Sequence, residues 1–204
     1  MNNRWISEGN CLLKRTEKRF DVNTQDVPKI VSEILKTGLY TKERFFKTYE
    51  SSIVTNVEFD IPRAKDMKVF GRKNYTGARL RTYYSPDKKN VSYTWGEWKT
   101  KNRNKTFKTR VCLNSNKTTI RFLKEIKKKG VVPVTELVYE RSALNSKDKN
   151  IRITFDKNIH YFDMNGKDIT NQTRAKKGQT KIKVKYIGKV PIKIYGCIRK
   201  WAIN

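Results

Sequence analysis

The sequence predicts an α+β fold in which a curved antiparallel sheet, charged on its inner face, is flanked by helices. Three observations predict it. Strand-length segments alternate strictly between cationic and apolar residues. Two segments carry the i, i+3, i+4 apolar spacing of amphipathic helices. The breaks between them are short and rich in Asn, Ser and Lys, as turns are.

In chain order, Asn23–Lys36 reads as the first helix. Asn23 or Thr24 can cap it, Pro28 suits a first turn and Gly38 can end it. Val27, Ile30, Val31, Ile34 and Leu35 form its apolar stripe. Strands follow. Arg79 and Arg81 share a face, with Leu80 opposite; Glu97, Lys99 and Lys101 share one, with Trp98 and Thr100 opposite. Lys108 and Arg110 alternate with Phe107 and Val111. A second helix is predicted over about Lys117–Lys129, with Ile120, Leu123 and Ile126 as a thin stripe and Gly130 as its stop. Arg152, Thr154 and Asp156 alternate with Ile151, Ile153 and Phe155, and Lys181, Lys183 and Lys185 with Ile182, Val184 and Tyr186. Turns are predicted at Ser85–Asn90, Asn102–Lys105, Asn145–Asn150 and Asn165–Lys167, and a basic loop at Arg174–Gln179.

A polar face toward water accounts for any one such strand. Five strands with like charges on one face are different, because like charges directly opposite each other destabilise a pair. Curving the sheet around an anion relieves that repulsion, and a closed version would be a barrel with a charged interior. Glu17, Glu97 and Asp156 among the cations can position Lys and Arg, or hold a metal that bridges phosphate oxygens.

Composition sets the outer bounds. The chain has 204 residues, the length of a single domain, and 47 Lys plus Arg against 19 Asp plus Glu give a net charge of +28. With 36% hydrophobic and 11% aromatic residues it is too apolar for a disordered basic tail. No stretch approaches about 18 consecutive apolar residues, which argues against a membrane-spanning helix. Abundant Lys and Asn can also reflect coding bias, so the placement of the charges carries more than their sum. Cys11, Cys112 and Cys197 are odd in number and widely spaced, and no Cys-x-x-Cys occurs, which argues against a disulfide framework or a zinc site and fits a reducing, cytoplasmic setting. His160 is the only histidine and reads as a strand or loop residue. A bound metal would then be Mg or Mn, held by carboxylate and phosphate oxygens.

The ordered motifs resemble those of a known family, the VTC-type polyphosphate polymerase domain of the triphosphate tunnel metalloenzyme (CYTH-like) superfamily. The residues that carry the resemblance are Glu17-Lys18-Arg19-Phe20 and Asn56-Val57-Glu58-Phe59-Asp60, then Arg79-Leu80-Arg81-Thr82-Tyr83 and Glu97-Trp98-Lys99-Thr100-Lys101. Lys108-Thr109-Arg110-Val111 and Tyr139-Glu140-Arg141 follow, then the run Ile151 to Asn158 and Val184-Lys185-Tyr186. The likeness spans Thr16 to Pro191 and implies one domain, an antiparallel eight-stranded β-barrel with flanking helices. It also implies a tunnel that binds polyphosphate, ATP or another triphosphate and transfers phosphoryl groups with Mn or Mg. By that resemblance Arg79, Arg81, Lys99, Arg141 and Arg152 grip phosphate, with Lys101, Lys108, Arg110 and Lys185 as second candidates; Arg19 and Lys183, which depart from the family pattern, are further candidate phosphate ligands of this chain. Lys99, Arg152 and Lys185 are the candidate catalytic residues, and Glu17 and Glu97 the candidate metal ligands.

Two residues depart from the family pattern. Lys183 stands where the family has a metal-holding Glu, and ammonium offers a metal no oxygen. Arg19 stands where the family has Lys. Three readings follow: a polymerase or triphosphatase, the latter acting on tripolyphosphate or RNA 5′ ends; a non-catalytic condensed-phosphate binder; and a nucleic-acid binder that uses Lys127–Lys129 with Tyr83, Tyr84, Trp95 and Trp98 as stacking platforms.

Overall fold

The computed structural model describes residues 16–60, 74–102, 105–173, 176–188 and 192–203, so Cys11 and Arg174 lie outside the described residues. Its strands are β1 (Thr16–Asn23), β2 (Tyr40–Lys42), β3 (Ser51–Asp60), β4 (Asn74–Tyr84), β5 (Val91–Asn102), β6 (Lys105–Cys112), β7 (Val132–Ser146), β8 (Ile151–Phe162) and β9 (Gln179–Tyr186). The helices are α1 (Val27–Lys36), α2 (Asn116–Lys128) and α3 (Ile192–Arg199).

Both predicted helices form. A 3-10 turn over Thr24–Asp26 takes the place of the expected first turn of α1, and Gly38 follows the helix at φ +69°. α2 is capped by Ser115, whose hydroxyl accepts from the Thr118 N–H at 3.3 Å. α3 is an addition that the alternation pattern did not announce.

All ladders are antiparallel, in the order β1-β9-β8-β7-β3-β4-β5-β6. β7 is long enough to pair β3 along most of its length and β2 at its end. The sheet therefore has nine strands, and among the described residues no ladder joins β1 to β6. This corrects the closed eight-stranded barrel: the sheet is open. Its two edge regions nevertheless face each other closely enough for Lys108 of β6 to repel Lys185 of β9. Like charges approaching from opposite edges disfavour closure.

The outer faces are apolar and covered. α1 and α3 bury Ile30, Ile34, Ile194 and Ile198 against Val22, Ile153, Phe155, Ile182 and Val184. Each such fully buried side chain contributes about 1.5–3 kcal/mol. α2 lays Phe122 and Ile126 on Phe59 and Ala78, with Trp98 and Val111 at the margin. Phe122 lies so close over Gly96 that a Cβ there would meet the ring at 2.7 Å. A third cluster comprises Phe45, Val54, Tyr83, Trp95, Tyr139 and Ala143, and its strand residues share a parity with the charged inner residues.

Candidate anion-binding site

Strand register assembles the inner face. Asn56 pairs with Arg81, Glu58 with Arg79, Arg79 with Glu97, Glu97 with Arg110, and Lys99 with Lys108. Glu97 is 4% exposed and sits at the centre of this half. Arg79 Nε donates to its Oε2 at 2.6 Å and Arg110 Nε to its Oε1 at 2.7 Å, while an Arg81 nitrogen lies 3.8 Å from Oε1. Burial alone would raise its pKa, but Arg81, Arg79 and Arg110 hold it well below the usual carboxylate range. Arg81 Nε also donates to Asn56 Oδ1 at 2.6 Å.

The other half is built the same way. Arg141 pairs with Asp156 across β7 and β8, and Arg152 with Lys185 across β8 and β9. Arg141 grips both Asp156 oxygens, at 2.6 and 2.8 Å, and Lys183 Nζ donates to Oδ2 at 2.7 Å. Despite burial, these cations keep Asp156 ionised well below its ordinary range. Glu17 accepts from Arg19 Nε at 2.7 Å and lies 3.7 Å from Lys185 Nζ. Arg152 is held by both oxygens of Glu43, at 2.8 and 3.1 Å.

The two halves meet. Burial pushes Lys108 down to about 8, Arg79, Arg81 and Lys99 add repulsion, and Glu97 opposes them. Burial and Lys108 likewise hold Lys185 well below the usual amine range. Burial raises the Tyr83 phenol, yet Arg81, Arg141, Arg152 and Arg110 outweigh it and bring the group down to about 8. Four guanidinium groups from β4, β6, β7 and β8 thus act on one phenol. Four buried polar atoms on this face lack a hydrogen-bond partner: Ser52 Oγ, Asn56 Nδ2, Asn145 Oδ1 and Thr154 Oγ1. Unpaired buried polar atoms are costly, so a polar occupant would stabilise them.

The candidates read from the sequence divide into two groups. Arg19, Lys99 and Arg110 are open to solvent, and Arg79, Arg152, Lys183 and Lys185 partly so, whereas Lys108 keeps solvent contact along its length while neighbouring side chains crowd its ammonium. Arg81 and Arg141 are buried and committed to Asn56, Glu97 and Asp156. They supply charge from beneath the face. Lys101 occupies β5 opposite Tyr75, and its side chain lies outside the described residues. Three of the four stacking residues of the nucleic-acid reading are used elsewhere: Tyr83 and Trp95 are each 5% exposed within the inner cluster, and Trp98 packs on Phe122 at 5.8 Å. Glu43 and Phe45 went unnoticed in the sequence because they lie between strands, where no alternation marks them.

The carboxylates do not fit a divalent metal as they stand. Both Glu97 oxygens are bonded to guanidinium groups, and Glu17 is shared between Arg19 and Lys185. Among the described residues no group of three His, Cys, Asp or Glu side chains converges. Mg and Mn take several oxygen ligands.

Residues 114–194 match the family model described as VTC domain. This stretch holds Arg141, Arg152, Asp156, Lys183 and Lys185, and within it the resemblance read from the motifs is shown. A search of curated protein sequences finds no match. Among solved structures, a chain of the Mediator head module of Schizosaccharomyces pombe is similar at TM-score 0.50 and 10% identity, covering 91% of this chain and 90% of that one. A Bacillus halodurans protein provisionally assigned as an adenylate cyclase gives 0.49 at 10% identity, with 90% and 85% covered. Protein PH1819 of Pyrococcus horikoshii gives 0.48 at 12% identity, with 91% and 85% covered. The Mediator likeness is one of fold alone. Among the described residues no helix is long and apolar enough to cross a membrane.

Proposed function

We propose that the inner face of the sheet binds a condensed phosphate, namely tripolyphosphate, polyphosphate or the phosphates of a nucleoside triphosphate, and does so without a divalent metal. The observation that carries this reading is the convergence of Lys108 and Lys185 with Arg79, Arg81, Arg141 and Arg152 on one face; burial first, and then repulsion among these cations, depresses both amines although Glu17 and Glu97 stand beside them. The local carboxylates do not offset the cations, and a polyanion would. Arg is suited to the task, because its planar fork takes phosphate oxygens in pairs. The VTC-domain match over 114–194 supports the same ligand class.

The catalytic reading is a polyphosphate polymerase or triphosphatase using ATP with Mn or Mg, with Lys99, Arg152 and Lys185 at the transferred phosphoryl group. It needs oxygen ligands that Glu17 and Glu97 do not offer while bonded to Arg79, Arg110 and Arg19. Titration calorimetry with tripolyphosphate in excess EDTA tests the choice. Binding that persists supports a metal-independent receptor; strict dependence on Mn, or polyphosphate made from ATP, favours the enzyme. Affinity that collapses with salt as steeply as for single-stranded nucleic acid would return the reading to a diffuse basic surface.

A further inference from the structure

Moving along the inner face toward the Ser85–Asn90 turn, the chemistry changes from charged to aromatic. Arg79 and Arg81 give way to Tyr83 on β4, Lys99 and Glu97 to Trp95 and Tyr93 on β5, and Glu58 and Asn56 to Val54 on β3. The segment between β2 and β3 roofs this aromatic end. The Glu43 N–H donates to the Ala143 carbonyl at 2.8 Å, and the Phe45 and Phe46 N–H groups fold back onto the Tyr49 carbonyl at 3.1 and 3.3 Å. Phe45, 7% exposed, stacks on Tyr83 with ring centroids 6.0 Å apart. Tyr49 reaches the β4–β5 turn by donating to Asp87 Oδ2 at 3.3 Å. At the edge of this stopper Glu43 places both carboxylate oxygens on Arg152 and accepts from Asn145 Nδ2 at 3.2 Å.

We infer that the segment Glu43–Glu50 stops one end of the site, with Glu43 as a stand-in anion on Arg152 and Phe45 closing the space behind it, so that the site takes the terminus of a phosphate chain. The inference rests on the condensed-phosphate reading and narrows its ligand. Phe45 stacked on Tyr83, packed among Val54, Trp95, Tyr139 and Ala143, fills the space at this end, so a polymer cannot thread past Tyr83. A terminal phosphate that enters from the Lys99 and Lys108 side reaches Arg152 by displacing the Glu43 carboxylate.

Two measurements test it, both at about 0.5 M salt to screen the outer charges. Tripolyphosphate should bind the Glu43→Gln variant about tenfold more tightly than the unaltered protein, because a competing carboxylate is removed while the segment is kept. Unchanged or weaker binding by that variant, with its thermal unfolding intact, overturns the role of Glu43. Long linear polyphosphate should saturate at two protein chains per polymer whatever its length, one for each end. Stoichiometry that grows with polymer length overturns the stopped site. Absence of tripolyphosphate binding to both proteins overturns the underlying phosphate reading, and the terminus reading with it.

Discussion

Lys183 donates to Asp156 Oδ2 at 2.7 Å, and Arg141 takes the same carboxylate from the other side. Lys183, where the sequence departs from the pattern it resembles, therefore completes an ion triad around a buried carboxylate. Asp156 is 1% exposed, and a carboxylate this deep stays ionised only while its partners remain.

Lys183→Glu should therefore cost about 2–3 kcal/mol of stability, since it removes one partner and adds a like charge, while Arg141 remains. Two carboxylates then face each other with room for a hard cation between their oxygens. Thermal unfolding with and without Mn checks this: Mn should raise the midpoint of the variant and leave that of the unaltered protein in place. A variant as stable as its parent, and indifferent to Mn, would show that the triad carries no such strain.

Lys108 titrates at about 8 in the folded chain, against an ordinary value of 10.5. Below about pH 8 it is protonated in both states. Between there and its ordinary pKa it is neutral when folded and charged when unfolded, so the unfolded chain binds the extra proton and stability rises with pH. Phosphate binding makes the opposite demand, because an anion needs the ammonium form. Affinity for tripolyphosphate should fall as pH rises through about 8, and binding near that pH should take up a proton. Calorimetry in two buffers of different ionisation enthalpy measures the uptake, and Lys108→Met should diminish it.

Much of the site's layout was legible in the strand alternation. Arg79 with Arg81, Arg152 with Asp156, and Lys183 with Lys185 share the inner face because side-chain direction has period two in any strand. Closure was not legible, because it depends on whether β1 meets β6, and neither strand carries a mark of its neighbour. The partner of each cation was equally hidden. Arg81 and Arg110 have the same alternation, yet Arg81 is buried on Asn56 while 39% of the Arg110 side chain is exposed. The bonding of Glu43 to Arg152 joins residues 109 positions apart, a relation that only the tertiary fold creates.

Gly96 lies under the ring of Phe122, where an added Cβ would approach to 2.7 Å. The neighbour is a rigid ring on a packed helix, so either α2 lifts or the ring leaves its well. Gly96→Ala should cost about 1–3 kcal/mol, as overpacked cores do. Chemical denaturation measures the loss. Because α2 covers the outer side of the sheet, tripolyphosphate affinity should change little in the fraction that remains folded.

Arg152→Ala and Lys128→Ala separate an enclosed site from a diffuse basic surface. Arg152 is 16% exposed, fixed by Glu43 and paired in register with Lys185, so its guanidinium already points where a phosphate would sit. Lys128 lies exposed at the C-terminal end of α2, where water and salt screen it. Removing Arg152 should weaken tripolyphosphate binding by about 30-fold, the size of a lost charge-assisted bidentate contact. Removing Lys128 should change it by less than about twofold. Calorimetry on both variants gives the comparison, and circular dichroism confirms that each is folded. Equal small losses from the two substitutions would mean that the whole +28 surface, and no particular inner face, attracts the anion.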